Sequence, residues 1–544
     1  MRMTTEQLYQ HAVTARNQGN WDKVIQLLQP LVQAIPDHAK ALHLMGLAKS
    51  VQKDHETAKR YVLKAIELSE NQQFLNTLGL IYLRMDRISN AIEFFKKALI
   101  YDQKSPEIYN NLAQANLFIG NSHEAIKNFE IALSLRTDIS LMSNYLLGLN
   151  YVPFVSPEQI FQAHRQYAQF FSEQPEYKDY QNHVQGKIRI GYVAGHFCQN
   201  PIRFFLMPVL KNHDHSKFTI ICYSDTQKED EVTDQYKQYV LEWNRTCHLS
   251  HDELASKIYA DHIDILVDLA GHVSSNRLPV FARQPAKYQF TWLGYPNTTG
   301  LSQVHYRFTD AIADPPENDA CYSEKLIRLP TCFLSYQPEK NSPEVSSLPA
   351  DHKKEITLGS FNNLSKVNDS VIKLWSEILK SLPNTRLLIK ATSLSDPKVQ
   401  EYVINKFKCH GVENEIKCTG FIKNMQSHLA MYHQVDLALD PFPYNGTTTT
   451  CDALWMGVPV LTRCGKTHAS RVGASILSCI GMGDLVAYSD KEYVSKAIYL
   501  CQHIDILRAI RKQLRQLCLQ SPLMDCLSFT QSMEKIYDGL VREH

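Results

Sequence analysis

The sequence predicts an α-solenoid of tetratricopeptide repeats followed by two Rossmann-like α/β halves. Three observations carry that reading. A period close to 34 residues runs through the first third; from about Gly186 short β-branched runs alternate with amphipathic stretches; and a polar, Pro-containing break divides those runs into two series. A chain of 544 residues is long enough for about three or four domains. The boundaries are drawn at 1–140 for the repeat array, 141–186 for a helical connector, 187–350 for the first α/β half and 351–544 for the second.

The repeats come first. Ala12, Gly46, Gly79 and Ala113 share one register, Val24, Ala58, Ala91 and Ala125 a second, and Leu31, Ala65, Ala98 and Ala132 a third. Small residues at these places let antiparallel helices approach closely, and one helix pair cannot bury its apolar face without a neighbour. About four stacked pairs are expected, with a concave surface able to bind an extended peptide or another protein. The alternative is an array that only packs on the catalytic part or dimerises, so a homo-oligomer stays open. The period fails from Leu141, and Ser156-Pro157 reads as a helix start, Ser at the cap and Pro in the first turn.

The α/β strands follow. IRIGYVA, FTIICYSD, IDILVDLAG and YQFTWLGYP form the first series; TLGSF, RLLIK, IKCTG, VDLALD and PVLTR form the second, after QPEKNSPEVSSLPADHKKE. Continuous apolar runs suit parallel strands covered on both faces. In such sheets ligands sit beyond the carboxyl ends of the strands, so residues just after TLGSF, LVDLAG and DLALD should line a cleft.

Composition removes several classes. Lys plus Arg at 57 against Asp plus Glu at 56 leaves a net charge of +1, without the basic footprint of a nucleic-acid binder. No stretch is apolar for the length of a membrane span, and the polar start MRMTTEQLYQ lacks a signal core. The 13 cysteines all lie at or beyond Cys198 and make no CxxC pair, which favours reduced thiols in a cytoplasm. Delivery to a host by a non-classical route is left open. No P-loop, GxSxG elbow or HExxH pair is present. No metal site is expected either: the nearest cluster, His213-Asp214-His215, reads as a solvated turn.

The strand ends carry the candidate chemistry. After DLALD come Asp440-Pro-Phe-Pro-Tyr-Asn-Gly446 and Thr447, Thr448, Thr449 and Thr450, then a helix. Unpaired N–H groups at a helix start, with several hydroxyls, make a cradle for a diphosphate; helix capping by Thr450 alone is the plainer alternative. Asp452 suits a sugar hydroxyl or merely favourable placement on the helix dipole. Lys366, just past TLGSF, is either a solvated surface lysine or a cation for a diphosphate leaving group. One ammonium about 4 Å from a phosphate charge is worth on the order of 4 kcal/mol, roughly three powers of ten in rate. Asp268 and His272 close LVDLAGH and could orient an acceptor or relay a proton, or be structural. His428 faces a nucleotide base or packs.

Taken in order, GYVAGHF, DILVDLAGH, RLPVFARQPA, WLGYPNTTG, YSEKLIRLP, SFNNLSK, LDPFPYNGTTTTCDALWMGVPV, ASRVGAS and SPL resemble the O-linked N-acetylglucosamine transferase family in its compact, bacterial-type form. The resemblance covers the chain from the repeats almost to its end. It implies a glycosyltransferase B-type fold and an inverting, metal-independent transfer of N-acetylglucosamine from UDP-GlcNAc to Ser or Thr of proteins, with no cofactor beyond the donor. GDP-fucose or UDP-glucose as donor, or a catalytically weakened scaffold, are the alternatives. By position, Lys366 resembles the diphosphate lysine and Asn363 stands where the family often has Gln. His428 resembles the histidine beside the uridine, Thr448 and Thr449 the phosphate-binding threonines, and Asp452 the ribose-binding acid. Thr447 and Pro296 join this donor-binding set, and Asp268 and His272 resemble the acceptor-side pair. Two positions depart: Asn200 stands where the family usually has His, and Asn297 where it has Gly. An amide cannot accept a proton at neutral pH.

Overall fold

A computed structural model describes residues 3–180, 186–353 and 355–542. The last part of the expected connector, 181–185, lies outside the described residues.

The expected repeats form four helix pairs: Thr5–Asn17 with Trp21–Ala34, Ala39–Val51 with His55–Leu68, Gln72–Arg84 with Ile88–Tyr101, and Pro106–Phe118 with Ser122–Leu135. Most of the register residues, among them Ala12, Val24, Ala58, Ala65, Ala91, Ala98, Ala113 and Ala125, are wholly buried at the helix contacts. A ninth helix, Ile139–Leu149, starts two residues before the period fails and stacks on the last pair. Ser156 then caps Pro157–Ala168 through a reciprocal bond pattern with Gln159, as its sequence signals.

The first sheet contains β1 (Ile188–Ala194), β2 (Phe218–Ser224), β3 (Glu242–Arg245), β4 (Ile265–Asp268), β5 (Tyr288–Thr291), β6 (Tyr306–Asp310) and β7 (Lys325–Leu329). Its order is β3-β2-β1-β4-β5-β6-β7, all parallel. The second contains β8 (Ile356–Ser360), β9 (Thr385–Lys390), β10 (Ile416–Thr419), β11 (Leu437–Leu439), β12 (Val460–Arg463) and β13 (Val486–Ala487), in the order β10-β9-β8-β11-β12-β13 and again all parallel. Strand order therefore reverses between β1 and β4 and between β8 and β11. At such reversals the following loops part in opposite directions and leave a crevice.

Two features depart from the domain limits read in the sequence. The final helix, Cys526–Arg542, belongs to the first sheet rather than the second: Phe529, Met533 and Tyr537 share a core with Phe290, Trp292 and Phe308. His213, read as part of a solvated turn, is 4% exposed; it bonds Glu534 of that helix at 2.9 Å and the Tyr192 hydroxyl at 2.9 Å. The array, moreover, is not a free arm. Leu75, Ile88, Phe95 and Leu112 lie in one apolar core with Leu364, Val367 and Leu394 of the second half. The Ser89 N–H donates to Asp396 at 2.9 Å. The connector instead joins the first half, where Met142, Leu146 and Tyr167 pack with Val193, Ile221 and Leu266.

Candidate functional site

The crevice at the β8/β11 reversal gathers the residues that follow TLGSF and DLALD. Past β8 the chain makes one short 3₁₀ turn, Leu364–Lys366, which brings the Lys366 ammonium 2.7 Å from the Asn445 carbonyl and 4.1 Å from the centre of the Tyr444 ring. Burial pulls this ammonium below the usual lysine range, while the negative charge of Asp440 works in the other direction. Asp440 is 1% exposed and accepts from the Gly446 N–H at 2.7 Å and from the Thr462 hydroxyl at 2.6 Å. Burial raises its carboxyl, with the two hydrogen bonds and Lys366 opposing.

Gly446 brings the chain into the helix Thr448–Trp455. A Cβ there would lie 2.4 Å from the Thr449 hydroxyl and 2.8 Å from Asn362 Oδ1, so only glycine permits the approach. Thr447 is the cap residue, but its side chain makes no capping bond. Thr450 is no cap either: its hydroxyl donates to the Gly446 carbonyl at 2.9 Å. The helix start is thus left to solvent or a ligand, with Thr447, Thr448 and Thr449 all partly exposed. Thr449 is aimed by its bond to Asn362 at 2.8 Å.

One turn on, Asp452 is 5% exposed and accepts from the Tyr336 hydroxyl at 2.8 Å. Burial lifts its carboxyl to about 7, against the bond from Tyr336 and the charges of Arg203 and Lys390. His428, from the short helix Met425–Ala430, places Nε2 3.9 Å from the second Asp452 oxygen. Burial, with the charge of Lys390, lowers the imidazole to about 4, so the ring is neutral near pH 7. Its Nδ1 is buried and has no hydrogen-bond partner among the described residues. A buried nitrogen at the edge of a cleft with no protein partner is open to a hydrogen bond from a ligand or water. Beyond it, Gln199, Arg203, Glu339, Asn341 and Met425 line a polar space between the halves.

The remaining expected residues lie elsewhere. Asn363 caps the 3₁₀ turn, accepting from the Ser365 N–H at 3.3 Å, and its side chain organises the Lys366 backbone rather than filling the cleft. Asp268 is 1% exposed and accepts from the Ala270 N–H (3.1 Å), the Gly271 N–H (2.8 Å) and the Thr291 hydroxyl (2.8 Å). No bond joins it to His272. His272 is itself wholly enclosed: Nε2 bonds the Thr299 carbonyl at 2.8 Å and Nδ1 the Ser143 hydroxyl at 3.2 Å, between the rings of Tyr167, His164 and Tyr295. Burial, with His164 adding to it, holds this imidazole well below its usual value. In this structure Asp268 pins the loop after β4 and His272 fastens the connector to the first half, apart from the residues gathered at the β8/β11 reversal. Pro296 is buried in the loop after β5, where the flanking carbonyls of Tyr295 and Asn297 accept from Arg307. Asn297 donates to Asn150 of the connector at 3.1 Å, and Asn200 accepts from the Ile202 N–H at 3.1 Å.

Reading the sequence missed Lys390, Asn362, Tyr336 and Asp440 as individual site residues. Lys390 and Asp440 were hidden as ends of apolar strands; Tyr336 belongs to the inter-half linker. It also missed an asparagine series on the array. Asn111 donates to Asn76 at 2.9 Å and Asn144 to Asn110 at 2.9 Å, and Asn76, Asn110 and Asn144 line one groove with Leu80, Glu107 and Arg136. Their 34-residue spacing was the available signal. Among the described residues, no group of three or more His, Cys, Asp or Glu is placed to hold a metal ion, and no helix is long and apolar enough to cross a membrane. All thirteen cysteines are free.

Two facing parallel sheets, an open helix start and a lysine at the strand reversal, with a superhelical array alongside, define a repeat-fused protein of glycosyltransferase B type. The chain belongs to glycosyl transferase family 41, whose profile matches residues 166–340 and 341–533. Tetratricopeptide profiles match 39–72, 73–104 and 94–127. The probable UDP-N-acetylglucosamine–peptide N-acetylglucosaminyltransferase SPINDLY of Oryza sativa is 37% identical over 409 residues, 74% of this chain and 44% of that protein. The corresponding SEC protein of Arabidopsis thaliana is 29% identical over 362 residues, 64% of this chain and 37% of that one. The chain thus spans less than half the length of these relatives. A mutant of the Thermobaculum terrenum O-GlcNAc transferase superposes with a TM-score of 0.85 at 29% identity, covering 100% of this chain and 99% of the other.

Proposed function

We propose that the chain transfers N-acetylglucosamine from UDP-GlcNAc to Ser or Thr hydroxyls of proteins, with inversion at the sugar carbon and without a metal. The observation that carries this reading is the convergence of the Lys366 ammonium and the uncapped start of Thr448–Trp455 on one crevice.

A sugar diphosphate laid there puts its two phosphates against the first-turn N–H groups and the Thr447, Thr448 and Thr449 hydroxyls, with Asp452 at the ribose and the orphaned His428 Nδ1 at the base. The acceptor oxygen attacks the anomeric carbon from the face opposite the diphosphate and gives up its proton to water or to a diphosphate oxygen, and the bond from that carbon to the diphosphate oxygen breaks as the new one forms. Negative charge gathers on the leaving diphosphate, and there Lys366 and the helix start supply the positive potential a divalent cation gives other transferases. Neither Asp268 nor His272 is free to take the acceptor's proton. The names and fold of the relatives support UDP-GlcNAc as donor and proteins as acceptors. The asparagine-lined groove supports an extended peptide, since amide side chains can match backbone N–H and C=O groups whatever the peptide's sequence.

The test is a donor panel of UDP-GlcNAc, UDP-glucose and GDP-fucose with a proteome extract, read by the mass added to Ser or Thr. An N-acetylhexosamine adduct, absent with Lys366→Ala, is the expected result. A hexose or deoxyhexose adduct would overturn the donor; labelling by Lys366→Ala equal to wild type would overturn the role of the lysine.

A further inference from the structure

Lys366 stands on a surface that the repeat array and connector complete. Its ammonium lies 4.1 Å from the centre of the Tyr444 ring, and that ring also stacks with Tyr151, the ring centres 5.0 Å apart and the planes inclined by 27°. Tyr151 follows the helix Ile139–Leu149 directly and packs into the small core of Ala113, Leu117, Ala125 and Phe129, the last repeat pair. An unbroken series of contacts thus runs from the repeat core through two aromatic rings to the ammonium. A second link approaches from behind. Gly120, in the turn of the same repeat pair, has φ +79°, and a Cβ there would lie 2.6 Å from the Val367 carbonyl and 2.9 Å from the Leu364 carbonyl. Those carbonyls flank the turn that carries Lys366.

We propose that Tyr151 is a positioning residue for Lys366, acting through Tyr444, so that the last repeat and the connector fix where the catalytic ammonium sits. The physical case rests on shape and desolvation. A lysine has four rotatable bonds, and one acceptor at 2.7 Å fixes only the distance of its ammonium from Asn445. The face of a ring that is itself clamped restricts the rest, and an ammonium over a desolvated ring is held by roughly 1–2 kcal/mol. Without Tyr151 the Tyr444 ring loses its stacking partner, water can enter beside it, and the ammonium is less well held in the crevice. This inference rests on the proposed role of Lys366 in turnover, but its first consequence, a change in how Lys366 titrates, does not.

The experiment uses the full chain with Tyr151→Leu, which keeps an apolar side chain in the repeat core, and Tyr151→Phe, which keeps the ring. Competitive acylation read by mass spectrometry follows Lys366 directly. Tyr151→Leu should raise the apparent pKa of Lys366 by about half a unit as water reaches it, because burial is what lowers it. It should lower kcat about tenfold while leaving UDP affinity within about threefold, and Tyr151→Phe should restore both readings. An unmoved titration curve in Tyr151→Leu overturns the proposal, as does a Tyr151→Phe defect equal to that of Tyr151→Leu, which would assign the effect to the hydroxyl. If Tyr151→Leu lowers Tm, Tyr151→Met replaces it with a longer apolar side chain and is judged by the same readings. Lys366→Ala run alongside separates the two ideas: if it retains full turnover while the titration shift is present, the proposed role of Lys366 falls and its positioning by Tyr151 stands.

Discussion

The two sheets have the same topology around their reversal points, yet their strand ends behave in opposite ways. After β4 in the first half, Asp268 holds three donors and His272 two partners, and both are sealed from solvent. After β8 and β11 in the second half, the helix start is uncapped, Thr447, Thr448 and Thr449 are partly exposed beside it, and His428 keeps a buried nitrogen without a partner among the described residues. At these two sets of strand ends the difference lies in exposure and in what each side chain already holds, not in chemical type. A carboxylate that already accepts three hydrogen bonds serves the fold; an uncapped helix start has N–H groups to spare for an anion.

The sharpest way to break the comparison is Lys366→Ala. It should cost about three powers of ten in kcat with little change in Tm, since the group stabilises charge that develops only during transfer. Asp452→Ala comes next and should weaken UDP binding roughly ten- to hundredfold in calorimetry, because the bond to a ribose hydroxyl is lost and Tyr336 is left unpaired. His272→Leu should act on the other axis, lowering stability by about 1–3 kcal/mol in thermal unfolding while kcat stays within about threefold. A kcat loss for His272→Leu matching that of Lys366→Ala would erase the distinction between the two halves.

The smallest expected effects concern pH. With the free Lys366 ammonium pulled down to about 8, kcat/KM should fall as pH rises through that value, and the limb for kcat should lie higher, since a bound diphosphate favours the charged form. Asp452 has a folded value of about 7, above its unfolded one, so the folded chain holds the extra proton between them. Its contribution to stability is complete below the unfolded value and is lost as pH rises through about 7. Asp452→Asn should flatten that part of the Tm profile.

Much of the fold was legible because its elements repeat or alternate in a regular way. The three small-residue registers located the helix pairs, and nine apolar runs located nine strands. Strands β3, β6, β7 and β13 escaped. The sequence EWNR of β3 forms a half-exposed edge; YRFTD and KLIRL carry charges whose partners are distant in the chain; β13 spans two residues. Arg307 in β6 is 2% exposed because it serves the carbonyls of Tyr295 and Asn297, a bond no local pattern announces. In the candidate site, the gathering of Lys366, the Thr447–Thr449 run and Asp452 on one crevice was legible from loop chemistry after two strands. The partners of Asp268 and His272 were not legible, because Thr291, Thr299 and Ser143 reach them from other parts of the chain. His213 misled for the same reason: its acceptor, Glu534, lies 321 positions away.

The returning helix Cys526–Arg542 makes the two halves inseparable by cutting. A protease that opened the exposed stretch around Glu344 would release no lobe, because Phe529 and Tyr537 would still bolt the tail of one half onto the other. A fragment stopped before Cys526 would strip the lining from one side of Phe290 and Phe308 and offer a greasy face to any neighbour. For anyone shortening this chain, the far end is the keystone to keep.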